Sequence, residues 1–325
     1  MPTNKTLPQP PNWLSIYAAS KPDNPVAIGK DRVITWGQLY ERSRALAKRL
    51  YTIGLRPGDQ AALMVYNCPE YYEVGQTLSW LDVGLVMVGY RMKGPEIEYI
   101  VENSDSKIFF FWHEFADRIL PNPSKYQKIL PGGFISIGPA DFKVASNYLE
   151  LFNDTPDVDL ENLPLSKEVG DAMIFTSGTT GKPKGAARKT DFASKPGVIE
   201  YLVATVKSLN YTPNEVHLVC CPLYHSAPMY FSLITFIMGG TIVLQTKWDP
   251  EEFLELVDRH KVTSTHVVPT QLSALLQTSE AFTRDLDLSS LRTLICGAAP
   301  LSPRIKLAVL DRFGPILHEY YGSTE

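Results

Sequence analysis

The sequence predicts an α/β fold of layered, mostly parallel sheets flanked by helices, and three observations lead there. Segments of strand and helix character alternate along most of the 325 residues. The strand-like segments are short continuous apolar runs, the pattern of strands covered on both faces, rather than alternating polar and apolar positions. One such run, 172–175, is followed by a loop rich in glycine and hydroxyl side chains, and ligands of open α/β sheets sit where loops leave the strand ends.

The elements follow in order. Thr35 to Gln38 has the form of a capping box, and Leu39, Leu46, Ala47 and Leu50 keep helical spacing, so a helix is expected over about 36–52 with Gly54 beyond its end. Arg56-Pro57-Gly58-Asp59 turns the chain into a strand at 61–66, and Pro69-Glu70 opens the next helix where proline is tolerated. A strand at 85–88, a helix at 95–103 and a strand at 108–111 repeat the unit. Residues 121–168 are richer in Pro, Gly, Asn and Asp, which marks a loop-rich boundary between a first α/β subdomain, 1–168, and a second, 169–325. Beyond it come strands at 172–175, 216–220, 265–268, 293–296 and 316–319. Asp249 and Ser302 cap helices expected at 250–260 and 303–313. The apolar run 229–244 is shorter than the roughly 20 residues of a membrane span and is split by Gly239-Gly240, so it reads as a buried helix followed by a strand at 241–244.

Composition narrows the function classes. With 44% hydrophobic and 20% charged residues the chain has the make-up of an ordinary globular protein, and a formal net charge of −4 argues against nonspecific nucleic-acid binding. Residues 1–12 are polar and proline-rich, without the apolar centre of a secretory signal, so the cytoplasm is the default expectation. Cys68, Cys220, Cys221 and Cys296 lack paired metal-ligand spacing and sit in apolar surroundings, which reads as buried thiols. No basic amphipathic helix supports membrane attachment, although peripheral contact and a homo-oligomer stay open.

The chemistry concentrates in Phe175-Thr176-Ser177-Gly178-Thr179-Thr180-Gly181-Lys182-Pro183-Lys184-Gly185. Glycines let the backbone approach an anion, hydroxyls supply donors, and lysines add charge. The spacing differs from a Walker loop, because Gly178 and Gly181 are separated by two residues and Lys182 precedes a proline. In its order of residues this run resembles the phosphate-binding loop of the acyl-adenylate-forming superfamily, which includes acyl-CoA synthetases, luciferases and peptide-synthetase adenylation domains. Cys296-Gly297-Ala298-Ala299-Pro300-Leu301 is similar to that family's small-residue turn beside adenine and the acyl channel. Tyr320-Tyr321-Gly322-Ser323-Thr324-Glu325 resembles its Tyr-Gly-x-Thr-Glu motif, and Pro222-Leu223-Tyr224-His225 its element beside the acyl pocket.

That resemblance implies the large N-terminal domain of an adenylate-forming enzyme, incomplete, using ATP, Mg2+ and coenzyme A. Thr176, Ser177, Gly178, Thr179, Thr180, Gly181 and Lys184 would hold the phosphates, with Lys184 on the leaving pyrophosphate. Thr176 and Glu325 would hold magnesium, an ion suited to few protein oxygens. Gly297, Ala298, Ala299, Glu319, Tyr320 and Tyr321 would border adenine, with Tyr321 stacking on it and Thr324 near the α-phosphate. His225, Met229 and Gly297 would line the acyl pocket. The implied reaction is attack of a carboxylate on the α-phosphorus of ATP, catalysed mainly by electrostatic positioning, with Lys184, Thr324 and Glu325 as the catalytic set.

For the substrate, Gly89-Tyr90-Arg91-Met92-Lys93-Gly94-Pro95-Glu96-Ile97 resembles the stretch that synthetases of fatty-acid and bile-acid type carry ahead of the phosphate loop, with Gly89 in place of the usual asparagine. A medium- or long-chain fatty acid joined to coenzyme A is the expectation. A ligase for aryl or bile acids, a ligase loading a carrier protein, and a non-catalytic ATP-binding or interaction module are the rivals. The family's ribose-binding aspartate, hinge and C-terminal lysine lie beyond its tyrosine motif, so the small C-terminal domain is absent here and the 325 residues alone are expected to turn nothing over.

Overall fold

The structure is a computed structural model that describes residues 13–139, 141–163, 173–176, 184–187 and 198–322. In chain order it runs α1 (Trp13–Ser20), β1 (Pro25–Ile28), β2 (Val33–Thr35), α2 (Trp36–Ile53), β3 (Gln60–Met64), α3 (Pro69–Trp80), β4 (Gly84–Met87), α4 (Gly94–Asn103), β5 (Ser106–Trp112), α5 (Ala116–Ile119), β6 (Phe134–Ile137) and β7 (Ser146–Asn147). There follow β8 (Met173–Thr176), β9 (Lys184–Ala187), α6 (Val198–Ser208), β10 (Val216–Val219), α7 (Ser226–Ile237), β11 (Thr241–Leu244), α8 (Pro250–His260), β12 (Ser264–Val267), α9 (Pro269–Leu275), α10 (Glu280–Thr283), β13 (Thr293–Cys296), α11 (Pro303–Phe313) and β14 (Leu317–Glu319).

The described strands form two seven-stranded sheets, ordered β7-β6-β5-β3-β4-β8-β9 and β14-β13-β12-β10-β11-β1-β2. Pairing is parallel except at one edge of each, where β8–β9 and β1–β2 are antiparallel. Neither sheet respects residue 168. β8 and β9, from beyond it, complete the first sheet through β4, and β1 and β2, from the start of the chain, complete the second through β11. The loop-rich stretch after residue 121 also supplies β6, β7 and a 3-10 turn over Tyr148–Phe152. These strands are short, and β6 is flanked by Gly132, Gly133 and Gly138, which dilutes the apolar run that marks a strand in sequence.

Helices separate and cover the sheets. The capping box of α2 forms as the sequence implies: Thr35 Oγ1 accepts from Gln38 N at 3.3 Å and Gln38 Oε1 accepts from Thr35 N at 3.1 Å. Alternate strand residues then go to different cores. Ala61, Leu63 and Phe110 share one with α2, α3 and residues of the second sheet such as Ile242, whereas Ala62, Met64, Phe109 and Phe111 pack outward against α4 and α5. On the second sheet Leu218, Val243 and Leu294 meet α8, α9 and α11. Full burial of side chains such as Trp36 and Phe110 contributes about 1.5–3 kcal/mol each.

The apolar run 229–244 divides as expected into the end of α7 and β11. Between them Gly239 adopts φ 73°, a left-handed conformation that side chains disfavour. Among the described residues no helix is long and apolar enough to cross a membrane. All four cysteines are buried and free.

Candidate active site

The two sheets are joined where their strands end. Asn67, three residues past β3, is buried, and its Nδ2 donates to the carbonyls of Cys221 at 3.0 Å and Gln245 at 3.1 Å. Its Oδ1 accepts from Leu223 N at 3.0 Å. One side chain from the first sheet thereby fixes the chain leaving β10 and β11 of the second, and with it the approach to α7. Sequence reading passed over this asparagine because no local pattern reveals a partner about 150 residues away.

Beside this junction opens a cavity of about 1240 Å³, bounded by α6, the N-terminal turn of α7 and the ends of β12, β13 and β14. Its walls include a group of aromatic side chains, among them Tyr90, Tyr224, Tyr230, Phe231, Trp248 and Tyr320. Tyr90 meets Tyr224 edge to face, with centroids 5.2 Å apart. Such a wall suits a hydrophobic or ring-bearing ligand.

The residues singled out from sequence distribute unevenly around it. Ser177, Gly178, Thr179, Thr180, Gly181, Thr324 and Glu325 lie outside the described residues. Thr176 and Lys184, which bracket the phosphate loop, are register partners in the antiparallel β8–β9 pair. The expectation that the loop follows a strand of a mostly parallel sheet fits β8, which pairs parallel with β4, and β9 adds an antiparallel partner that the sequence did not predict. The parallel bond of β8 to β4 stays on the other side.

At the end of β13, Gly297 is buried and packs directly on Tyr320, so a Cβ there would overlap the tyrosine ring. Ala298, next in the chain, has φ 68°, a strained conformation for a residue with a side chain, and lines the cavity. Ala299 is exposed and lies off the wall. At the end of β14, Glu319 lines the cavity and is ion-paired with Lys306 of α11. Tyr321 also lines it with a fully exposed ring, free of any aromatic partner among the described residues.

His225 caps the start of α7 and borders the cavity. Partial desolvation by the surrounding walls, with the Arg91 charge adding to it, lowers its pKa. Met229, like Gly297 and Ala299, is not part of the cavity wall, and its side chain is half-buried against the core shared between the sheets. One helical turn separates it from His225, and that turn of α7 carries it inward.

Sequence reading missed His266, at the end of β12, which the structure places on the cavity wall with only 2% of its surface exposed. Its Nε2 and the Tyr320 hydroxyl are 3.0 Å apart, and its ring stacks on Phe231 at 5.4 Å. Burial, with the His225 charge secondary, lowers its pKa to about 4, so the imidazole is neutral near pH 7. Its place at the C-terminal end of a parallel strand was the available signal. Among the described residues no cluster of three or more His, Cys, Asp or Glu could hold a metal.

Comparison with known proteins gives this arrangement a family. A family model described as AMP-binding enzyme matches residues 14–325. Feruloyl-CoA synthase of an Amycolatopsis species is 30% identical over 293 residues, covering 90% of this chain and 54% of the relative. A medium/long-chain-fatty-acid–CoA ligase of Mycobacterium tuberculosis is 27% identical over 317 residues, covering 93% and 52%. The solved o-succinylbenzoate coenzyme A synthetase of Bacillus subtilis, in complex with ATP and magnesium ion, superposes with a TM-score of 0.78 at 23% identity, covering 97% of this chain and 60% of that one. The last likeness concerns the fold, and the chain spans about half the length of the curated relatives it matches.

Proposed function

We propose, from the premise that this chain belongs to the AMP-binding enzyme family, that it forms the nucleotide- and acyl-binding part of an enzyme that activates a hydrophobic carboxylic acid as its acyl adenylate and passes the acyl group to coenzyme A. The carrying observation is the aromatic cavity that joins the family's adenine-side residues, Ala298 and Tyr321, to His225 in one continuous space. A carboxylate placed there has a nucleotide surface at one end and an apolar wall at the other.

In this reading the residues between β8 and β9 bind ATP and Mg2+, and Tyr321 offers its open face to adenine. Lys184 neutralises the leaving pyrophosphate, Glu325 with Thr176 holds the metal, and Thr324 lies near the reacting phosphorus. The metal supplies charge neutralisation between the two anions. The protein's own part is to orient the acid and exclude water around it.

The acid itself stays between two classes. A medium- or long-chain fatty acid follows from the Gly89–Ile97 resemblance. A ring-bearing acid is favoured by the aromatic walls and by the placement of Met229 off them. ATP–pyrophosphate exchange tests the activity in a protein that joins this chain to the C-terminal part of a family member. Exchange dependent on Mg2+ and a hydrophobic acid is expected, with Lys184→Ala and Glu325→Gln each slowing it about 100-fold or more. Exchange unaffected by both substitutions would defeat the residue roles. No exchange with any carboxylic acid would defeat the function.

A further inference from the structure

We infer that the His266–Tyr320 pair is a hydrogen-bonding anchor for an oxygen atom on the acyl part of the substrate, so that this cavity selects oxygen-bearing acids, hydroxy-, methoxy- or keto-substituted, over plain hydrocarbon ones. The inference rests on the acyl-adenylate reading and specifies the substrate class within it.

The pair sits in otherwise apolar surroundings. Phe231 covers one face of His266 and meets Tyr320 edge-on at 5.6 Å, and Ile295 borders the same space. Some other polar groups on the wall are already engaged. Gln271 Oε1 accepts from Val268 N at 3.0 Å and from the Cys221 thiol at 3.0 Å, Thr205 donates to the Tyr201 carbonyl at 2.9 Å, and the Tyr66 hydroxyl donates to Glu114 at 3.1 Å. Tyr320 differs. Its hydroxyl has one partner among the described residues, His266 Nε2, and a phenol can both donate and accept.

The direction of that bond follows from the other ring nitrogen. His266 Nδ1 is buried without a partner among the described residues. If the Tyr320 hydroxyl donated to Nε2, the proton of the neutral ring would sit on Nδ1 as a buried unmatched donor, the arrangement proteins avoid most strongly. With the proton on Nε2 the ring donates to the Tyr320 oxygen, and only a lone pair is orphaned at Nδ1. The phenolic hydrogen is then free to donate to a ligand. Burial raises the Tyr320 pKa to about 12, so that hydrogen is retained throughout the neutral range. The geometry around the ring is held as well: Gly297 has no side chain because Tyr320 occupies that volume.

Sulfamoyl-adenosine mimics of the acyl adenylate supply the test, titrated calorimetrically into the 325-residue chain as matched pairs, phenylpropanoyl against 4-methoxy- and 4-hydroxyphenylpropanoyl. The oxygenated forms are expected to bind about 3- to 10-fold more tightly, the range of one added neutral hydrogen bond. Tyr320→Phe should abolish that preference, bringing the oxygenated and plain forms to the same affinity. His266→Gln keeps an N–H donor and should retain the preference. Equal affinities in the parent would overturn the anchor. An equal loss for every ligand in Tyr320→Phe would overturn it too, assigning the hydroxyl to the reacting carboxyl end. The unacylated adenosine sulfamate separates the two levels: if it binds, these failures touch the anchor alone, and if no adenosine ligand binds, both the anchor and the adenylate reading fall.

Discussion

Two buried polar clusters face different fates in this molecule. Under α3, Glu73 is wholly buried, yet its carboxylate is saturated: Arg32 reaches it with both terminal nitrogens at 2.7 and 3.0 Å, Arg42 binds it, and the Tyr148 hydroxyl donates to it at 2.9 Å. Beside α7, His266 and Tyr320 share a single bond, with an orphaned nitrogen on one side and an unused donor on the other. The first cluster ties α2, α3 and the Tyr148 turn into the layer between the sheets. The second sits on a cavity wall. A carboxylate whose oxygens are already taken has no capacity left for a ligand, and an unsatisfied pair in a hollow is where a ligand completes the bonding.

Substitutions can break this contrast, and the largest effect belongs to the saturated cluster. Glu73→Ala would leave Arg32 and Arg42 without their shared partner, and a loss of about 3–5 kcal/mol is expected in urea unfolding. A change below 1 kcal/mol would show that the network adds nothing to the scaffold.

The histidines give a pH signature of comparable size. Burial holds His266 at about 4 and His217, fully buried beneath α7, at about 3, both below the ordinary 6.5. The unfolded chain therefore binds more protons, so stability is complete above about pH 6.5 and falls as pH drops towards 4. His266→Phe should reduce the loss over that window by on the order of 3 kcal/mol, read from unfolding curves at several pH values. An unchanged pH slope would show that the ring is hydrated rather than buried.

Gly297→Ala sharpens the comparison locally. The new methyl collides with the Tyr320 ring, and overpacking of this kind costs about 1–3 kcal/mol and displaces the tyrosine. Tyr320 fluorescence and affinity for an oxygenated adenylate mimic should change together. The smallest effect is a distant control. Asp249 Oδ1 accepts from Glu251 N and Glu252 N at 3.0 and 2.9 Å, so Asp249→Ala should lower stability by about 1 kcal/mol without altering ligand affinity.

Legibility in the sequence followed the range of the interactions. The α2 capping box, the Asp249 and Ser302 caps and the division of the run 229–244 depend on neighbours a few residues apart, and each forms where the pattern places it. The exchange of edge strands between the sheets did not show, because β1 meets β11 across more than 200 residues and four-residue strands carry little information about their partners. The same holds at the site. His225, Ala298, Glu319, Tyr320 and Tyr321 come together on one cavity as their motifs imply. Met229 does not, since its apolar character fits a core as well as a pocket. His266 and Asn67 carry no motif, and their surroundings emerge only when β12 lies beside β13 and the chain after β3 meets the chain leaving β10 and β11.

The central claim is that the space between Tyr321 and His225 holds an acyl adenylate, and equilibrium binding of a hydrophobic acyl-sulfamoyl adenosine to the 325-residue chain tests it most directly. The expected result is saturable binding that ATP displaces and that Tyr321→Ala weakens about 5- to 100-fold, the worth of one aromatic stacking contact. Absence of binding by a chain that unfolds cooperatively, or binding indifferent to ATP and to Tyr321→Ala, would contradict it.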